Sequence, residues 1–319
     1  MPGGTALASV KMMGGLSVAV SGTGGVAGLS GCATAGENEG GTRVNRKLDR
    51  YGLQLSTITP LLIADFEGTL QRVAQIGYKE VEFSAAGFLG RPVEQVAEWL
   101  AKYNLQAPVG RISPKLPDGF GALSAQEQRA AYRKYAGPDY LIANVEQTIK
   151  DATYLGQRHI NLPAMMPASF GSAEMLNNSL GVLRTVGRMC READIQFGYH
   201  NHDWEFRSVE GRVPFDVMLE EVDADLLAIQ MDVYWVTKGG RDPIDYFKRY
   251  PGRFPNCHLK DITPEGDFED VGYGTLDFPA IVAAAQASGT AHYFVERDNP
   301  PQPLRTAERG FAYLQEMTY

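Results

Sequence analysis

The stretch Phe197-Gly198-Tyr199-His200-Asn201-His202-Asp203-Trp204-Glu205-Phe206 opens as an apolar, aromatic run and then sets two histidines one residue apart. With 195–201 as a β-strand, side chains alternate, and His200 and His202 point to one face. Two imidazoles converging from one strand are costly in a plain core, because each needs a hydrogen-bond partner or a metal. The chain has 5 histidines in all, so this segment holds a large share of them. Whether neighbouring strands supply matching ligands decides both fold and chemistry.

Outward from this stretch, strand and helix alternate. Strands are expected at 52–56, 80–83, 107–112, 159–162, 195–201, 227–233, 256–261 and 291–297. Helices are expected at 65–76 (capped by Asp65), from Pro92 through Leu100, and at 140–155, 173–192, 215–222, 243–250, 278–287 and 304–315. A charged helical insert is read at 124–135. Eight strands each followed by a helix, with no fixed repeat, indicate a (β/α)8 TIM barrel rather than a doubly wound sheet. No Gly-x-Gly-x-x-Gly or other phosphate-cradling loop follows any strand, which argues against a nucleotide cofactor.

Bulk properties agree. Of 319 residues, 44% are hydrophobic and 21% charged, ordinary for a globular enzyme. A net charge of −8 without a basic cluster argues against a nucleic-acid partner. Three cysteines, Cys32, Cys190 and Cys257, are widely spaced and indicate neither a disulfide framework nor a cysteine-based zinc site. Residues 1–46 are rich in Gly, Ala and Ser. Leu29-Ser30-Gly31-Cys32 has the small-residue pattern of a bacterial lipoprotein cleavage site after a weakly apolar stretch. The expectation is a signal- or lipoprotein-like segment that lipidates Cys32 and anchors an exported domain, residues 47–319, at the periplasmic face. A disordered extension of a cytoplasmic protein, or a start codon placed too early, is the alternative. No other stretch approaches the ~20 apolar residues of a membrane span.

In a TIM barrel, chemistry sits at the C-terminal ends of the strands. Reading polar residues there gives His200 and His202, then Asp232, then His258, Lys260 and Asp261, then Glu296 and Asp298. His200, Asp232, His258 and Glu296 thus come from four consecutive strands to one rim. Two nitrogens and two oxygens suit a divalent ion, with Mn first and Zn, Co, Ni or Mg as alternatives. Each residue alone has a plainer reading. Asp232 could be a buried acid bonded to backbone, His258 a satisfied core histidine, and Glu296 a partner of Arg297. Glu82 faces either the site or an inner-barrel hydrogen bond. Trp204 and Tyr234 wall a sugar or simply pack. His159 and His292, at strand starts, are expected to be structural, and Cys257 to be core.

Taken together, Tyr199-His-Asn-His202, Asp232 after an apolar strand, His258-Leu-Lys-Asp261, Gly272-Tyr-Gly-Thr-Leu-Asp-Phe278 and Val295-Glu296 resemble the xylose isomerase-like TIM-barrel family. The resemblance covers roughly Gly52 to Leu314. It implies one divalent metal facing a small sugar or polyol, with Asp232, His258 and Glu296 matching the usual ligands. His200 departs from the pattern, since many epimerases of the family have a glutamate there. At the end of the third strand, Arg111 stands near a position where close relatives often carry histidine, and it is taken as a substrate contact. The family's epimerases remove and return a proton with two glutamates, through an enediolate. Here Glu296 is the expected base, His202 (or a neutral His200 released from the metal) the acid/base partner and Lys260 the oxyanion stabiliser. Glu82, Trp204, Tyr234 and Arg111 are the expected substrate contacts. The expected function is a sugar isomerase or epimerase. The alternatives are a lyase or hydratase acting on a keto-sugar, and a carbohydrate-binding barrel without turnover. A homo-oligomer is compatible with either.

Overall fold

The computed structural model describes residues 46–113, 127 and 138–319. The segment expected to be a signal, with Cys32, and the expected 124–135 insert, apart from Glu127, lie outside the described residues. Eight strands form one parallel sheet: β1 (Gly52–Gln54), β2 (Glu80–Glu82), β3 (Val109–Arg111), β4 (His159–Leu162), β5 (Gln196–His200), β6 (Ala228–Asp232), β7 (Asn256–Leu259) and β10 (His292–Val295), in the order β2-β1-β10-β7-β6-β5-β4-β3. The two edges, β2 and β3, meet through Gln106, whose backbone exchanges bonds with Val81 (2.8 Å) and Lys79 (2.9 Å). The sheet is therefore a nearly closed (β/α)8 barrel. A small hairpin, β8 (Asp261–Ile262) with β9 (Phe268–Glu269), extends from the end of β7.

Around the barrel lie α1 (Thr59–Ala64), α2 (Phe66–Ile76), α3 (Val93–Lys102), α4 (Pro138–Leu155), α5 (Ala173–Glu192), α6 (Pro214–Glu221), α7 (Val233–Lys238), α8 (Pro243–Arg249), α9 (Phe278–Ala287) and α10 (Pro303–Glu316). Asp65 caps α2 as expected, its carboxylate accepting from Gly68 N at 2.9 Å. Among the features not anticipated are three: α1 with the 3-10 turn Leu55–Ile58 before it, the β8–β9 hairpin, and α7 starting directly from Asp232. All three sit at the site end of the barrel.

Alternation along the strands separates two interiors. Leu53, Val81, Ile160, Phe197, Ile229, Met231, Cys257, Leu259, Tyr293 and Val295 are buried in the apolar core with the helices. The opposite positions fill the barrel itself and are largely polar. Asn161 on β4 donates to Asn256 on β7 at 2.9 Å, and Gln54, Glu82, Gln230 and His258 form one hydrogen-bonded group. Such a column depends on every member having a partner, because an unpaired buried polar group costs about 1–3 kcal/mol.

Helix α5 shows how closely the outer layer is fitted. Leu176, Leu180, Leu183, Val186 and Cys190 make its buried face. Gly187 lies against the carbonyl of Leu226, where an added Cβ would stand 2.1 Å from the oxygen, whereas Gly181 has open space. Gly187→Ala is expected to cost about 1–3 kcal/mol through forced separation of helix and barrel. Gly181→Ala is expected to gain up to about 1 kcal/mol from helix propensity. Urea-unfolding midpoints of the two variants against the wild type check this contrast.

Candidate metal and active site

The end of β6 is where the site is assembled. Asn201 clamps it to β5: its side-chain oxygen accepts from Asp232 N (2.9 Å) and its amide donates to Asp232 O (3.3 Å). Asp232 then caps α7, with Oδ1 accepting from Trp235 N at 3.0 Å. Oδ2 is left pointing at the neighbouring ligands, 3.8 Å from His200 Nε2 and 4.0 Å from His258 Nδ1. Glu296 follows β10; its Oε1 accepts from Ser56 Oγ (2.7 Å) and its Oε2 lies 2.8 Å from His258 Nδ1.

One ligand atom each from His200, Asp232, His258 and Glu296 lies within 4.8 Å of all the others, and all four residues are buried. Coordination bonds of ~2 Å bring the ligands of one cation to within roughly 3–4 Å of each other, so these side chains stand close to coordinating distances. Asp232 Oδ2 is buried without an aligned hydrogen bond, although Lys260 Nζ stands 3.2 Å from it as an ion pair. An acceptor left over at the centre of two imidazoles and two carboxylates is what a cation site requires. The residues present could therefore hold a metal ion.

Above the cluster lies a cavity of about 750 Å³, lined among others by Ser56, Arg111, His202, Trp204, Lys260 and Glu296. That volume suits a small molecule. Lys260 Nζ is also 2.9 Å from Glu296 Oε2 and 3.1 Å from Asp298 Oδ2, and these three carboxylates overcome the effect of burial and hold it charged. His202 lies just past the end of β5, its ring stacked on Trp204 (centroids 4.2 Å apart, planes 7° apart). Burial, then the positive charges of Lys260 and Arg111, lower its pKa to about 3, so the imidazole is neutral. His200 is likewise shifted well below its usual value by burial, then by Arg111. With no cation bound, burial opposes protonation of His258, but Glu82 and Glu296 on either side prevail and raise its pKa to about 9. Burial pushes Asp232 up to about 6. A bound divalent ion reverses that balance for its ligands.

The family model described as a xylose isomerase-like TIM barrel matches residues 70–317. The chain belongs to this family. Among curated proteins it is 24% identical over 156 residues to an inosose dehydratase of Clostridium botulinum, covering 42% of this chain and 52% of that protein. A second inosose dehydratase, of Clostridium tetani, is 26% identical over 156 residues. The chain thus spans about half the length of the curated relatives it matches. Among solved structures, a sugar phosphate isomerase/epimerase from Parabacteroides distasonis superposes with a TM-score of 0.71 at 23% identity, covering 84% of this chain and 98% of that one. An L-ribulose 3-epimerase gives a TM-score of 0.59 at 18% identity, covering 84% and 94%. At these identities the superpositions speak for the fold.

The structure brings His200, Asp232, His258, Glu296, His202 and Lys260 together at one end of this family barrel. Arg111 and Trp204 line the cavity. Two of the expected substrate contacts lie elsewhere. Tyr234 is buried, donates to Gly266 O at 2.9 Å and packs against Trp235 and Phe268, outside the cavity lining. Glu82 is fully buried beneath the cluster with its hydrogen bonds inside the barrel, the second of the two roles its position allowed. His292 bonds Glu80 at 3.0 Å and packs near His159, and both stand at strand starts as expected. Arg297 pairs with Glu269 and Asp270, which leaves Glu296 to the site. The sequence reading passed over Asn201, Ser56 and Glu205. Asn201 lies inside the quoted motif, and Ser56 follows β1 at the rim; either could have been found by asking what orients each ligand.

Glu205 holds the turn that carries His202 and Trp204, accepting from His202 N (2.9 Å) and from the Tyr199 hydroxyl. Burial raises its pKa from 4.5 to about 8. Below pH 4.5 this carboxyl is protonated in folded and unfolded chains alike; above that the unfolded chain ionises first, so its contribution to stability falls until the folded pKa is passed. Glu205→Gln does not titrate. Its stability relative to the wild type is expected to rise with pH by about 1.4 kcal/mol per unit between about pH 5 and 8. Denaturant titrations of both proteins at several pH values would show a constant difference if this assignment were wrong.

Proposed function

We propose that the chain is a divalent-metal-dependent enzyme that removes a proton next to the carbonyl of a sugar or keto-polyol, acting as an isomerase or epimerase. The observation that carries this reading is the position of Glu296, which belongs to the cation cluster and also lines the cavity. His200, Asp232, His258 and Glu296 would hold the ion, and the mixed nitrogen and oxygen set favours Mn or another first-row metal over Mg. When bound, such an ion polarises a carbonyl or hydroxyl oxygen and acidifies the neighbouring C–H.

The chain's own groups supply the remaining chemistry. Glu296 is ionised: burial opposes this, but Lys260 and His258 outweigh it and hold the carboxyl well below its usual range. It accepts the substrate proton and, in an isomerisation, returns it to the adjacent carbon. Lys260 offers a fixed positive charge to an oxyanion developing above it. Arg111 has a buried Nε without a partner beside the cavity and suits an oxygen of the substrate. Trp204 presents an aromatic wall to the apolar face of a sugar ring. Inversion of a stereocentre demands proton exchange on the opposite face of the same carbon, and His202, stacked on that wall with a neutral ring that can take up a proton, is suited to be that second acid/base group.

A second reading, dehydration of a keto-polyol, is favoured by the sequence likeness to inosose dehydratases. Both reactions begin with the same proton abstraction and differ in whether hydroxide leaves. Incubation of sugars and keto-polyols with the Mn-supplemented protein in deuterated water, followed by NMR, separates them. An isomer carrying deuterium supports the first reading, and an unsaturated or dehydrated product the second. Glu296→Gln is expected to lower kcat by about 10²–10⁴-fold while substrate still binds. A fully active variant would remove Glu296 from the role of base.

A further inference from the structure

We infer that Glu82 is the positioning residue of the metal site, holding the ring of His258 so that Nδ1 faces the cation and thereby setting the affinity for divalent metal. The inference rests on the reading of His258 as a ligand. Glu82 Oε2 lies 2.5 Å from His258 Nε2, and both side chains are fully buried. An imidazole can offer only a deprotonated nitrogen to a metal. With Nε2–H donated to Glu82, the lone pair falls on Nδ1, the nitrogen that stands 2.8 Å from Glu296 and 4.0 Å from Asp232. A carboxylate behind a ligating histidine orients the ring and raises its basicity.

Glu82 is itself held fast. Gln54 Nε2 (2.7 Å) and Arg111 Nη1 (3.2 Å) donate to its Oε2, and Gln230 Nε2 (2.8 Å) donates to its Oε1. It does not line the cavity, so substrate contact does not account for it. The hydrogen bonds to Gln54 and Gln230 do not by themselves call for a charge here either. Gln230 Oε1 is buried without a partner, so a glutamine at 82, with the Gln230 amide turned over, would still accept from the other donors. The charge is felt at His258 and at Arg111, and only His258 belongs to the cation cluster.

The test is a titration of the metal-stripped full chain with Mn²⁺ against a chromophoric chelator, for wild type, Glu82→Gln and Glu82→Met. Glu82→Gln is expected to weaken binding by roughly 10-fold and Glu82→Met by roughly 100-fold, with far-UV circular dichroism unchanged. In the Zn²⁺-loaded, ¹⁵N-histidine-labelled wild type, a long-range ¹H–¹⁵N correlation should place the His258 proton on Nε2, and Glu82→Gln should shift that resonance. If wild type binds Mn²⁺ and both folded variants bind it within threefold, the positioning role is overturned while the metal site stands. If Glu82→Met fails to fold, the Glu82→Gln affinity decides alone. A wild type that takes up no metal overturns the site reading and this inference with it.

Discussion

Burying carboxylates without enough positive charge is the constraint that organises this barrel. Glu82, Asp232, Glu296 and Asp298 converge at one end, and the permanent cations touching them are Arg111 and Lys260. Four negative charges against two leave two uncompensated, in a region where Asp232 and Glu82 are wholly removed from water. Unpaired buried charge is among the most destabilising things a protein can contain. With no metal bound, protonated His258 compensates in part. A divalent cation between the four ligands would balance the remainder and free His258 to act as a neutral donor. The same arithmetic explains why Lys260 is drawn so firmly into the cluster although it also faces the cavity.

The rest of the structure keeps that charge balance in place. The helices and the alternate strand residues make an ordinary apolar core, fitted as closely as Gly187 against Leu226 indicates. Inside the barrel, branched aliphatic residues give way to a polar column in which Asn161 bonds Asn256, and Gln54 and Gln230 both bond Glu82. Three of the four candidate ligands are held by a neighbour on another element: Asp232 by Asn201 and Trp235, Glu296 by Ser56, His258 by Glu82. Preorganisation of this kind places charge before substrate arrives, which is where much of an enzyme's rate enhancement originates.

Most of the barrel and the gathering of the four candidate ligands were legible in the sequence, because strand periodicity assigns faces and the barrel architecture assigns ends. His200, Asp232, His258 and Glu296 each lie at, or within one residue of, the C-terminal end of a strand, so topology alone brings them to one rim. The elements that escaped were those without periodicity: the 3-10 turn and α1 after β1, the β8–β9 hairpin, and α7 launched from Asp232. His202 shows the limit of face-reading. It reaches the cavity, but from the turn beyond β5, held by Glu205 rather than by strand alternation. Tyr234 turns away from the cavity because α7 begins at Val233 and replaces strand geometry with helical geometry. Glu82 was visible as an inward carboxylate, but its partner lies 176 positions away, a pairing that local pattern does not reveal.

The central claim is that one cation belongs among these four side chains. Crystals soaked in Mn²⁺ and measured at a wavelength where manganese scatters anomalously test it most directly. The account predicts a single anomalous peak about 2.0–2.3 Å from His200 Nε2, Asp232 Oδ2, His258 Nδ1 and a Glu296 oxygen. A peak elsewhere, or none at saturating Mn²⁺, would contradict it.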